Sequence, residues 1–187
     1  MKKYLSIGLV ILSILFTACN NDDDDKNSNK NNSVSATIND KDWKSTKINS
    51  VTFTWTAGSG QRFEINIQDD SQMLMLACES ELITSDAMPL REYNFYEDPT
   101  GDEVSDALFI NTYLLPGGSS LTEHMPKSGK IIITAMDANK KTVSGTFSFK
   151  SEKEANNSKI KEGTPNVFDV TNGVFKNLQY KVIKVIE

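Results

Sequence analysis

The sequence predicts an all-β fold, an antiparallel sandwich or barrel of about eight to ten strands. Three observations carry that expectation. In Arg62-Phe63-Glu64-Ile65-Asn66-Ile67-Gln68, Phe63, Ile65 and Ile67 take one side and the polar residues take the other. That is the period of two that marks a strand with one wet face. Turn signals recur at intervals of roughly 10–15 residues, which suits short strands in series. No window of helical length carries apolar residues at a period of 3.6.

The chain opens with Lys2 and Lys3, followed by the apolar run LSIGLVILSILF from Leu5 to Phe16. This run is too short to span a bilayer, which takes about 20 residues, and it fits the apolar region of a secretory signal. Phe16-Thr17-Ala18-Cys19 comes next. It resembles a bacterial lipoprotein signal, in which an apolar residue and two small residues precede Cys; Phe16 stands where the motif usually has Leu. The resemblance implies cleavage between Ala18 and Cys19 and lipid attached to Cys19, so residues 1–18 are expected to be removed. Losing Lys2 and Lys3 makes an acidic chain more acidic still.

Asn20 to Ser33 reads NNDDDDKNSNKNNS and has no apolar residue. Such a stretch cannot offset its ordering entropy by burial and is expected to be a disordered tether, reaching at most about 50 Å. The run Asp22–Asp25 reads as solvated linker. It also resembles the acidic export signal that follows the lipidated Cys in Bacteroidota surface lipoproteins. That resemblance implies exposure at the cell surface, with the periplasmic face as the alternative. Four adjacent Asp in an unstructured chain do not pre-form a calcium site.

Residues 34–187 form the expected β domain. Val51-Thr52-Phe53-Thr54-Trp55 and Thr142 to Phe149 repeat the alternation. Met73–Cys78, Ala107–Ile110 and Ile131–Ala135 are continuously apolar, as for central strands covered on both faces. Gly58-Ser59-Gly60, Asp69-Asp70-Ser71, Asp98-Pro99-Thr100-Gly101, Pro116-Gly117-Gly118 and Asp137-Ala138-Asn139 read as turns. Asn172-Gly173 reads as the tightest hairpin. Glu152–Pro165 is polar and aperiodic, a long loop inside the last hairpin. In the third alternating stretch Val143, Gly145, Phe147 and Phe149 share a face. The missing side chain at Gly145 suits a bulge or a close backbone approach.

Composition removes several functions. The chain has 187 residues and a net charge of −5. Its only arginines are Arg62 and Arg91, so it lacks the basic patch of a nucleic-acid binder. One His, His124, excludes a multi-His metal site, and two Cys exclude a disulfide framework. Cys78, in an apolar run, reads as an inert core thiol. His124 lies in the loop-like Thr122-Glu123-His124-Met125-Pro126, near Ser119 and Ser120, but no G-x-S-x-G elbow is present. It is expected to be exposed and uninvolved. Glu97, Asp98, Asp102, Glu103 and Asp106 cluster, yet their spacing fails the calcium-loop template. The sequence implies no cofactor. Trp43 and Tyr96 are the candidate binding residues, as exposed rings that stack on a sugar or a partner.

Three segments carry a further resemblance. They are Thr37 to Trp43, Ser128 to Thr134 with Thr142 to Phe149, and Val170 to Leu178. Together they resemble a recurrent Bacteroidota lipoprotein domain of unknown function. This implies an all-β body behind a lipid anchor and implies no reaction, so no site residue carries over. The expected protein is a lipid-anchored outer-membrane lipoprotein, a non-enzymatic binding or accessory module whose partner is a glycan or an envelope protein. The alternatives are a barrel with an interior pocket for a small apolar ligand, and a small envelope hydrolase.

Overall fold

The computed structural model describes residues 32–81, 85–96, 105–153 and 162–185. The signal, Cys19, nearly all of the tether and the acidic residues Glu97, Asp98, Asp102 and Glu103 lie outside the described residues. So do the 98–101 turn and residues 154–161 of the long loop.

The described residues form twelve strands: β1 (Ser33–Ile38), β2 (Lys41–Lys44), β3 (Lys47–Thr56), β4 (Gly60–Gln68), β5 (Gln72–Ser80), β6 (Glu92–Tyr96), β7 (Ala107–Leu114), β8 (Ser120–Leu121), β9 (His124–Asp137), β10 (Thr142–Lys153), β11 (Val167–Gln179) and β12 (Lys181–Val185). They make a sandwich of two six-stranded sheets, ordered β2-β1-β11-β10-β9-β6 and β12-β3-β4-β5-β7-β8. The all-β expectation holds, as a sandwich rather than a barrel and with more strands than anticipated. One pair is parallel: β12 returns along β3, from Lys181 opposite Thr52 to Val185 opposite Thr56. A 3-10 turn sits at Pro116–Gly118.

The alternating stretches face as read. Phe63, Ile65 and Ile67 on β4, Phe53 on β3, and Val143, Phe147 and Phe149 on β10 are all buried in one core. Facing them are Phe109 of β7 and Phe175 of β11. Phe109 and Phe149 stack with ring centroids 4.7 Å apart and planes 12° from parallel. Gly145 stands at a register shift between β10 and both of its neighbours. It combines the bulge with the close approach.

Three expectations are corrected. The continuously apolar runs are not covered on both faces. Leu74, Leu76, Phe109, Ile131 and Ile133 point into the core. Met73, Met75, Leu108, Ile110 and Ile132 lie half-buried on the outer faces, where neighbouring strands shield them. Asn172-Gly173 is not a hairpin. It lies inside β11, where Asn172 has φ 52° and the register slips against both β1 and β10. The chain continues straight because both neighbouring strands keep pairing beyond it, so the positive φ makes a bulge instead of a reversal.

The tight hairpin is instead at Asn39-Asp40, between β1 and β2. Their φ angles of 47° and 62° are both positive, as a type I′ turn requires. The Asn39 side chain fixes the turn against β11, donating to the Val167 carbonyl at 3.1 Å and accepting from the Asp169 N–H at 2.8 Å. Finally, the hairpin holding the long loop, β10–β11, is not the last element. After Tyr180 the chain crosses to the other sheet as β12.

Candidate functional site

Trp43, expected to be exposed, is 8 % exposed and part of the core. Opposite Ala36 on the β1–β2 hairpin, its indole N–H donates to Asp69 Oδ2 at 2.6 Å. Asp69 opens the β4–β5 turn and also accepts from the backbone N–H groups of Ser71 and Gln72 at 2.7 and 2.8 Å. Burial works to raise the Asp69 pKa, but these donors outweigh it and hold the carboxyl below its ordinary value. A carboxylate with a depressed folded pKa stabilises the fold above its unfolded pKa of about 3.9 and loses that contribution as pH falls through the folded value. Trp43→Phe is therefore expected to cost about 1.5–3 kcal/mol at pH 7 in urea denaturation, the range for a hydrogen bond to a charged group. Its deficit against wild type should shrink as the pH drops below about 4. A deficit independent of pH would mean that only packing was lost.

His124 is also corrected. It starts β9 and is 1 % exposed. Its Nε2 lies 2.8 Å from the Pro165 carbonyl, so Nε2 carries the proton and donates. The ring packs 5.8 Å from Tyr113 and 5.9 Å from Phe168, centroid to centroid. Pro126 and a register shift near it break the alternation, which is why the segment reads as loop. Neighbouring Glu123 is buried too, accepting from Thr164 Oγ1 at 2.7 Å. Thr164 in turn accepts from Lys153 Nζ at 2.6 Å. Tyr113, beside them, has its phenol pushed up to about 12 by burial first and the Glu123 charge second. These groups hold the end of the sandwich together. Cys78 is fully buried, and burial drives its thiol pKa up, which keeps it a poor nucleophile.

Tyr96 is 47 % exposed, as expected. Its backbone N–H donates to Ser105 Oγ at 2.9 Å, and that hydroxyl donates back to the Tyr96 carbonyl at 3.0 Å. Ser105 belongs to the wall of a cavity of about 760 Å³ at one end of the sandwich. Non-contiguous segments build it. The β3–β4 turn gives Ser59, β4 gives Gly60, Gln61 and Arg62, and the end of β5 gives Glu79 and Ser80, with Glu81 just beyond it. Pro89, Arg91, Ser105 and Asp106 close the far side.

Both arginines of the chain are in this wall. Arg62 reaches Glu64 Oε2 at 3.0 Å and pairs with Glu79. Arg91 pairs with Asp106 and lies 3.9 Å above the Tyr93 ring. Burial opposes the charge of each guanidinium. Hydrogen bonds that Arg62 donates to Glu79 and Glu64, and that Arg91 donates to Asp106, outweigh it and raise both pKa values. Asp106 also joins the two sheets. Its Oδ1 accepts from the Asn94 N–H of β6, and its backbone N–H donates to the Asn94 carbonyl at 2.9 Å. The Glu79 N–H of β5 donates to the Asp106 carbonyl at 2.9 Å.

Gln61 differs from every other wall residue. It continues the inward phase of Phe63, Ile65 and Ile67 and is 3 % exposed, yet neither polar atom of its amide has a hydrogen-bond partner. The sequence reading missed this site. Two signals were available: a Gln in phase with three core residues, and two arginines in a lysine-rich chain. The structure does not bring Trp43 or His124 to the cavity wall, and Tyr96 adjoins it only through Ser105.

Among the described residues no helix is long and apolar enough to cross a membrane. No curated protein and no solved structure matches the chain. The model of a family described as a domain of unknown function, DUF6252, matches residues 30–179, and the chain belongs to that family.

Proposed function

We propose that this member of the DUF6252 family is a Bacteroidota-type lipoprotein, held at the outer membrane by acyl chains on Cys19. The sandwich faces outward as a binding module that performs no reaction. The anchor rests on one observation: Cys19 follows Thr17 and Ala18 directly after the apolar run Leu5–Phe16. Each buried CH₂ of an acyl chain contributes about 0.8 kcal/mol of membrane affinity, and a single chain binds only reversibly. Two or three chains on one residue make release negligible. The acidic tether then holds an acidic domain off an anionic surface.

The binding role rests on the end cavity, whose volume lies in the range of small-ligand sites. A hydrolase would need two acids with oxygens free to work on a bond across a cleft. Glu79 and Asp106 do share the cavity, but Asp106 spends Oδ1 on Asn94 and Oδ2 on Arg91. Glu79 spends Oε1 on Arg62. Held in this way, Asp106 and Glu79 order the wall.

Labelling with radioactive palmitate, paired with protease shaving of intact cells, tests the proposal. Wild type is expected to take up label and to be shaved. Cys19→Ala is expected to take up none and to leave the membrane fraction. An unlabelled wild type refutes the anchor; a labelled protein that resists shaving puts the domain on the periplasmic face.

A further inference from the structure

The end cavity has a definite chemical character. Among the described residues its wall carries two guanidinium groups, from Arg62 and Arg91, against three carboxylates, from Glu79, Glu81 and Asp106. Both guanidiniums already face carboxylates. A phosphate or sulfate would meet no unmatched positive charge and one excess negative one. An apolar ligand would strip water from ion pairs without replacing their partners, which is costly. What the wall offers is a close alternation of donors and acceptors, together with the hydroxyls of Thr56 and Ser59. A ligand hydroxyl both donates and accepts, so it matches such a wall wherever it lands.

Gln61 sharpens this. A buried amide with neither atom paired costs about 1–3 kcal/mol for each unmet group. Its inward-facing neighbours on β4 are all apolar, and Leu at this position would remove that cost. An amide offers one acceptor oxygen and two N–H donors side by side. Two adjacent hydroxyls, one donating to Oε1 and one accepting from Nε2, satisfy both atoms together.

Resting on the binding-module reading above, we propose that this cavity binds a neutral polyhydroxylated ligand, a sugar residue or short neutral oligosaccharide, with the Gln61 amide reading a pair of adjacent hydroxyls. Gln61 is thus kept at a cost in stability that bound sugar relieves.

The test uses full-length protein purified from producing cells, in a detergent without a sugar headgroup. The probes are an array of neutral oligosaccharides, an array of acidic oligosaccharides and a library of uncharged peptides. Wild type, Gln61→Leu and Ser59→Trp are compared. Ser59 lies on the exposed β3–β4 turn, so the indole blocks the mouth without touching the core. Expected are binding of wild type to neutral glycans and a loss of about tenfold or more in both variants, the equivalent of one lost hydrogen bond to a buried group. Gln61→Leu should also melt higher than wild type.

Neutral-glycan binding that survives both substitutions overturns the assignment to this cavity. A Gln61→Leu variant that melts lower and binds unchanged overturns the role of the amide. Binding of acidic glycans or peptides alone, sensitive to both substitutions, overturns the ligand class and leaves the binding module standing. Silence of wild type in all three arms overturns the ligand class and the binding module together.

Discussion

Gly145→Ala is expected to destabilise the domain by about 3 kcal/mol, at the upper end of what overpacking a core costs. A Cβ placed on Gly145 would lie 2.2 Å from the Ile132 carbonyl oxygen and 2.4 Å from Phe175 Cζ. The first contact is with backbone, and that oxygen belongs to the neighbouring strand β9. It cannot retreat without breaking the β9–β10 ladder where the register already shifts between Ser144 and Gly145. The second contact is with the ring of a fully buried residue. Against a total stability of about 5–15 kcal/mol, such a loss moves the urea midpoint far down while leaving the slope unchanged. Gly58→Ala is the control. Nothing lies within 4 Å of its Cβ position, so only the strain of φ +73° applies, about 1 kcal/mol. Equal effects at the two positions would mean that the bulge yields and that the close approach at Gly145 is not tight.

Phe109→Ala carries the second large effect, about 3–5 kcal/mol. Phe109 is fully buried on β7 and stacks on Phe149 of the opposite sheet at 4.7 Å. Truncation therefore opens a cavity between the sheets and removes an aromatic pair worth about 0.5–1.5 kcal/mol beyond its buried area. The space does not refill easily. Gly129 is pinned against the same pair, its would-be Cβ lying 2.7 Å from Phe109 Cε2 and 2.6 Å from Phe149 Cβ. A double-mutant cycle with Phe149→Ala should give a coupling of about 1 kcal/mol. Strict additivity would show that the two rings are not packed against each other in solution.

What the sequence disclosed follows from how locally each feature is encoded. The inward phase of β4 was readable because each residue of a strand sits on the face opposite its neighbour. Outer-face shielding is not local. Met75 and Ile110 face each other across β5 and β7, and the sequence of either strand alone cannot reveal that cover. Turn chemistry misled for a similar reason. Asn-Gly permits positive φ but does not decide between hairpin and bulge. Partner strands decide, and at Asn172 both β1 and β10 continue past it. At Asn39 the chain reverses because its amide is claimed by β11 on either side of Phe168. Trp43 read as exposed because charged neighbours flank it, and only tertiary structure supplies Asp69 as a partner for its N–H. The cavity was the least legible feature. Its wall draws on residues from Thr56 to Asp106, and its traces in the sequence were a polar Gln61 in an apolar phase and two arginines in a lysine-rich chain.

Cys19 and the acyl chains proposed for it decide where such a domain can act. Intact-mass spectrometry of the protein, extracted from membranes of cells that make the full natural chain, reads that residue directly. The expected species begins at Cys19, lacks residues 1–18 and carries the added mass of two or three acyl chains on that residue. A soluble chain with an unmodified Cys19 thiol, or one that still begins at Met1, would contradict the anchor and the envelope location built on it.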